Sequence, residues 1–101
     1  MKRSTFTILF IAKKHKLLRN GEAPIYLRIT INGSAVELAL KRSILPNEWN
    51  ASKGCSNKKN HEANELNHYL NQARHRLFEI QKDLEFEGIE INVENFKNRF
   101  L

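Results

Sequence analysis

The sequence predicts an α+β domain: a three-stranded antiparallel sheet packed against one long helix, followed by a short C-terminal helix or linker. Three observations carry this prediction. Two limbs of alternating apolar residues flank Asn32-Gly33, and a third alternating run stands near the N-terminus. From His61 onward the apolar period changes from that of a strand to that of a helix. The sheet is expected over about residues 4–45 and the helix over about residues 61–87.

The first run, Ser4 to Lys13, puts Phe6, Ile8, Phe10 and Ala12 on one face and Thr5, Thr7, Leu9 and Ile11 on the other. The aromatic face is expected in the core, with Thr5, Thr7 and Lys13 near the outer surface. Leu9 and Ile11 are then apolar on the outer side and need cover, for which the chain's ends are candidates. Met1-Lys2-Arg3 ahead of this run imitates a signal peptide only loosely. The apolar stretch is too short, carries threonines, and ends in Lys13-Lys14 without a small-residue cleavage site.

A basic connection follows, Lys13-Lys14-His15-Lys16-Leu17-Leu18-Arg19, closed by a turn at Asn20-Gly21. It reads as a solvated loop or as a set of phosphate contacts. Pro24 opens the second strand, where a missing N–H costs least.

The hairpin from Ile25 to Leu40 is the strongest local signal. Ile25, Leu27, Ile29 and Ile31 alternate on one limb, and Val36, Leu38 and Leu40 on the other. Asn-Gly tolerates the positive φ angles of a two-residue type I′ turn. That loop pairs Ile31 with Ser34, Ile29 with Val36, Leu27 with Leu38 and Ile25 with Leu40, so the apolar faces coincide. The second face then carries Tyr26, Arg28 and Thr30 from one strand and Ala35, Glu37, Ala39 and Lys41 from the other, with Arg28 across from Glu37. It is either a solvated outer face, common for antiparallel sheets, or a surface that reads nucleic acid.

Past Lys41-Arg42-Ser43, Pro46 is expected to start a short turn delivering Trp49 as a core plug. Asn50 to Asn60 is polar and reads as a mobile loop. From His61 to Glu87, Ala63, Leu66, Leu70, Ala73, Leu77, Ile80 and Leu84 form an unbroken stripe at spacings of three and four. Gly88 is a natural C-terminal stop. A coiled-coil dimer would show the same stripe, but the hairpin's bare apolar face needs a partner, so packing on the sheet is the economical reading. His61, His68 and His75 recur every seven residues, about 10 Å along a helix, too far apart for shared metal ligation. Asn92 is expected to cap a helix Val93 to Leu101, whose Val93, Phe96 and Phe100 would find nothing left to bury them. The polypeptide is therefore expected to continue beyond Leu101.

The 101 residues carry a formal charge of +6. Residues 1–59 hold 12 Lys or Arg against 3 Glu, a net of +9; residues 60–101 hold 5 against 8 acids, a net of −3. The strand-bearing half is thus suited to a polyanion. Cys55 is the single cysteine, which excludes an intrachain disulfide and fits a reducing, cytoplasmic compartment. No stretch is long enough to span a bilayer, and no membrane partner is expected. An enzyme has little support: no metal-ligand spacing, glycine-rich phosphate loop or suggestive acid pair is present, and no metal or cofactor is implied. A single-stranded RNA binder would use several stacking aromatics, whereas the outer face offers only Tyr26. A helix-mediated protein-interaction module is the remaining alternative.

An ordered set of segments carries a resemblance. Phe6-Thr7-Ile8-Leu9-Phe10 is followed by Asn20-Gly21-Glu22-Ala23-Pro24-Ile25-Tyr26-Leu27-Arg28-Ile29-Thr30 and the Asn32-Gly33 hairpin. Pro46-Asn47-Glu48-Trp49-Asn50 and the helix opening at Asn64-Glu65-Leu66-Asn67 complete it. Together they resemble the N-terminal arm-type DNA-binding domain of Bacteroides-type tyrosine recombinases, the integrases of phages, conjugative transposons and invertible segments. The chain departs from the family pattern at Lys41-Arg42-Ser43, where many members end the third strand with Ser or Thr and Gly. The resemblance implies a non-catalytic domain over residues 1–88 whose sheet enters the major groove of double-stranded DNA. Residues 89–101 would begin a linker to core-binding and catalytic domains outside this chain, through which other protomers would be met. Tyr26 and Tyr69 sit in a strand and a helix, so neither takes the nucleophile's role. On this reading Tyr26, Arg28, Thr30 and Lys41 read bases, and Lys13, Lys14, Lys16, Arg19 and Arg42 contact phosphates.

Overall fold

The structure, a computed structural model, describes residues 6–101. It is α+β, as the periodicities predict. Strands β1 (Phe6–Ala12), β2 (Ala23–Ile31) and β3 (Ser34–Ile44) form an antiparallel sheet in the order β1-β2-β3. A 3-10 turn (Pro46–Glu48) and a short pair, β4 (Trp49–Asn50) and β5 (Cys55–Ser56), lead to helix α1 (His61–Glu87) and then α2 (Val93–Phe100). Ser4 and Thr5, read from the sequence as the start of the first strand, lie outside the described residues.

The sheet buries the face its sequence marks as apolar. Phe10, Ala12, Ile25, Leu27, Ile29, Ile31, Leu38 and Leu40 all lie in one core, with Phe6 and Ile8 packed at its margin. All seven stripe residues of α1 are buried, and Leu77, Ile80 and Leu84 are fully inaccessible. The stripe is therefore satisfied within one chain, which removes the surface that a coiled-coil dimer would use. Leu77→Ala should leave a cavity between helix and sheet and cost roughly 2–5 kcal/mol. Chemical denaturation would check this; an unshifted midpoint accompanied by dissociation of a dimer would instead favour the interaction-module alternative.

The ends of α1 follow from its sequence. The Asn60 side chain accepts a hydrogen bond from the Ala63 N–H at 2.8 Å, satisfying one of the helix's unpaired donors. Gly88, at φ 71°, takes the left-handed position, and the Ile89 N–H donates back to the Leu84 carbonyl.

The hairpin register matches expectation from the turn as far as Tyr26. Asn32 and Gly33 both have positive φ, Ile31 pairs with Ser34, and Arg28 pairs with Glu37. Beyond Tyr26–Ala39 the register shifts, and Ile25 pairs with Arg42, not with Leu40. Leu40 and Lys41 are accommodated in a bulge, with Lys41 in the left-handed region at φ 59°. Parity alone could not locate this. Two extra residues keep every side chain on its expected face, so Leu40 and Ile44 are both still buried.

Two other expectations are corrected. Residues 50–60 are more ordered than a polar loop requires. Trp49 pairs with Ser56 and Asn50 with Cys55, and the Asn67 side chain on α1 accepts from the Ser56 N–H at 2.9 Å. Gly54, at φ 64°, brings this hairpin against the backbone of Phe10, where an added Cβ would lie 3.5 Å from the carbonyl oxygen. Trp49 is buried, as expected of a core plug. The second correction concerns the chain's last helix: Phe96 is not left bare. It is completely buried, its ring centroid 4.8 Å from that of Phe6, and α2 closes the end of the core.

Candidate nucleic-acid interface

The outer face of the sheet is set by strand alternation and register. Three cross-strand rows run across it: Thr7–Thr30–Ala35, Leu9–Arg28–Glu37 and Ile11–Tyr26–Ala39. The β3 side is low in profile because Ala35 and Ala39 are small, and both are exposed. Leu9 is about half exposed, at 49%, so no other part of the described chain covers it. The result is an open, shallow surface with one arginine at its centre.

Lys13 decides how that surface is wired. It lies one residue past β1, on the same parity as Leu9 and Ile11, and its N–H donates to the Pro24 carbonyl at 2.9 Å. From there its side chain crosses the central strand. The ammonium lies 4.0 Å from the centroid of the Tyr26 ring and donates to Glu37 Oε1 at 2.6 Å. This hydrogen bond, together with the neighbouring positive charge, holds the Glu37 carboxyl below its usual range.

Arg28, directly across from Glu37, has no hydrogen bond or ion pair to it; it acts on the carboxylate through charge alone. The cross-strand pair open to these two residues is therefore replaced by a longer one, from β1 over β2 to β3. Arg28 remains exposed and untethered among the described residues.

The remaining candidates divide by position. Tyr26 and Thr30 are half-buried neighbours of Arg28 on the same face, and Lys41 is exposed in the bulge at its lower edge. Lys14, Lys16 and Arg19 are exposed in the β1–β2 connection, at the same end of β2. That connection is folded: Lys16 N–H donates to the Lys13 carbonyl, Leu18 N–H to that of Glu22, and Gly21 N–H to that of Leu18. Arg42 is set apart. Paired with Ile25 on the core side, it hydrogen-bonds Glu65 of α1, and its guanidinium lies 4.7 Å from the Tyr69 ring. The structure thus brings Tyr26, Arg28, Thr30, Lys13 and Lys41 together and turns Arg42 toward the helix.

Glu37 and Leu9, which alternation places on this face, are the members that residue type alone does not mark as contacts. Extending the β1 alternation one step to Lys13, over the central strand, is the signal that would have found the Glu37 contact.

On the opposite side of the molecule α1 carries more acids than bases: Glu62, Glu65, Glu79, Asp83, Glu85 and Glu87 are exposed along with Arg76 and Lys82, and His61, His68 and His75 are exposed among them. No group of three His, Cys, Asp or Glu that could hold a metal occurs among the described residues. No described helix is long and apolar enough to cross a membrane.

Comparison with protein families gives one match, to the Arm DNA-binding domain, spanning residues 10–97. The chain belongs to that family. The matched stretch begins inside β1 and ends inside α2, so it takes in the basic connection, β2, β3 and the long helix behind the sheet. No match was found among curated proteins or among solved structures. An arm domain binds DNA.

Proposed function

We propose that this chain is the non-catalytic DNA-binding arm of a site-specific tyrosine recombinase, an integrase acting in DNA integration or inversion. It docks on duplex DNA with the outer face of its sheet in the major groove. Residues 89–101 lead toward core-binding and catalytic domains, through which the protein meets other protomers, in the cytoplasm. The observation that carries the groove docking is the state of Arg28. Lys13 occupies the neighbouring carboxylate, so a mid-sheet guanidinium stands exposed with its donors unspent on an open face. The family match supports the choice of DNA as ligand.

Each group has a distinct task in this arrangement. Arg28 donates two parallel hydrogen bonds to guanine O6 and N7, which only that base offers as paired acceptors in the major groove. Thr30 and Tyr26 flank it, and Lys41 reaches the next step along the groove. Lys14, Lys16 and Arg19 lie at the groove's wall and neutralise phosphates, fixing position without reading sequence. Lys13 and Arg42 join them only on leaving Glu37 and Glu65 respectively.

Arg28→Ala tests the proposal. The variant should fold normally and bind a duplex selected by the parent chain at least about tenfold more weakly. Its preference over a scrambled duplex should flatten. Lys14→Ala and Lys16→Ala should weaken both duplexes alike. Fluorescence anisotropy separates the cases, and an Arg28→Ala chain that binds both duplexes as the parent does would end the groove-docking model.

A further inference from the structure

We propose that Glu37 is a specificity-determining residue, reading the exocyclic amine of a cytosine beside the guanine that Arg28 contacts, with Lys13 holding its carboxylate in place. This rests on the sheet docking described above. Glu37 is the sole acid on the outer face that strands β1 to β3 present, and it stands in the central row. A carboxylate on a surface that meets phosphates weakens attraction for every sequence. Its compensating property is chemical: it accepts hydrogen bonds and donates none. In the major groove only cytosine N4 and adenine N6 offer matching amines, whereas guanine and thymine oxygens repel a carboxylate.

The neighbours narrow the choice. Arg28 and Glu37 are direct cross-strand partners on one face, which places their Cβ atoms about 5 Å apart. Guanine O6 and cytosine N4 are themselves hydrogen-bonded within a base pair, hence about 3 Å apart. An arginine donor and a carboxylate acceptor side by side are thus complementary to the edge of one G·C pair, and in one orientation of that pair only.

Lys13 supplies the remaining requirement. Its ammonium engages Oε1 at 2.6 Å and rests over the Tyr26 ring, leaving Oε2 without a hydrogen bond among the described residues. The lysine side chain is only 15% exposed, so the clamp is packed onto the face and does not wave above it. It both positions the carboxylate and offsets its charge against the phosphates. Glu37 therefore trades general affinity for discrimination, a trade that a purely structural ion pair would not show.

The test uses the whole chain and a duplex selected by it from a randomised pool. Each cytosine of that duplex is replaced in turn by 2-pyrimidinone, which lacks the exocyclic amine. One replacement should weaken the parent about tenfold. The same replacement should change binding of Glu37→Ala less than twofold. Glu37→Ala should also bind a scrambled duplex more tightly than the parent, with a salt slope steeper by about one as Lys13 is freed. Glu37→Gln, which keeps an acceptor oxygen, should retain part of the cytosine preference, and circular dichroism melting confirms that both variants fold. Equal pyrimidinone penalties in parent and Glu37→Ala at every cytosine would overturn the proposal, as would a selection that returns no sequence preference. Failure of the docking itself looks different: Arg28→Ala would then bind the selected duplex as the parent does.

Discussion

Phe96→Ala is expected to destabilise the domain by about 3–5 kcal/mol, as for other fully buried phenylalanines cut to alanine. The side chain is completely inaccessible, and its ring meets that of Phe6, which in turn meets Phe78 of α1 edge to face at 5.9 Å. Removing it opens a void where β1, α1 and α2 converge. The backbone around α2 is well secured and has little reason to collapse into that void. Asn92 caps the helix through the Asn95 N–H, and the Asn95 side chain donates to the Glu90 carbonyl. Arg99 forms two hydrogen bonds to the Glu87 carboxylate, at 3.0 and 2.7 Å. That contact holds the Glu87 carboxyl below its usual range. For a domain of this size the loss corresponds to a melting point lower by at least about 12 °C. Phe100→Ala, at a half-buried position, should cost less. If Phe96→Ala melted within about 2 °C of the parent, α2 would be an appendage and not part of the core.

That helix marks where the sequence stops being legible. Its cap at Asn92 and its extent follow from local chemistry, because a cap is a contact between residues three apart. Its partner does not. Phe6 lies 90 positions earlier in the chain, and nothing in either local pattern says that the two rings meet. The main sheet and α1 are legible for the opposite reason. Period two and period 3.6 each demand one buried face, and the two faces have only each other to cover them. The β4–β5 pair fails the same test. Two residues per strand make no period, and beyond the buried Trp49 its attachment depends on one glycine against Phe10 and one asparagine on α1.

The candidate site was legible to the level of its face but not its wiring. Alternation places Tyr26, Arg28, Thr30, Glu37 and Lys41 on one side and survives the bulge, because two inserted residues restore parity. Which cation takes Glu37 is a matter of reach. Arg28 is the nearer residue by register, yet the long, flexible lysine at the end of β1 lies along the tyrosine ring and gains that contact as well as the ion pair. Arg42 illustrates the converse. Its charge invites a phosphate, but alternation with Leu40 and Ile44 puts it on the core side, where Glu65 and Tyr69 of α1 receive it.

Raising the salt from about 50 to about 200 mM should lower the affinity for duplex DNA by roughly 250- to 1000-fold. Neutralising ~4–6 phosphates gives a log–log slope of about −4 to −5. Among the described residues Lys14, Lys16, Arg19 and Lys41 are exposed cations bordering the docking face, and each must shed its share of condensed counterions from the DNA. Lys13 and Arg42 contribute little at first because their charges are already matched by Glu37 and Glu65. The slope can be apportioned residue by residue. Lys14→Ala should make it shallower by about one. Lys58→Ala should leave it unchanged, since that ammonium stands 3.5 Å from the Glu48 carboxylate, beside the β4–β5 hairpin and away from the reading face. Titrations by anisotropy at four or five salt concentrations give both values. An affinity that holds constant across this range, or a Lys58→Ala slope that falls as far as that of Lys14→Ala, would place the phosphate contacts somewhere other than the edge of the sheet.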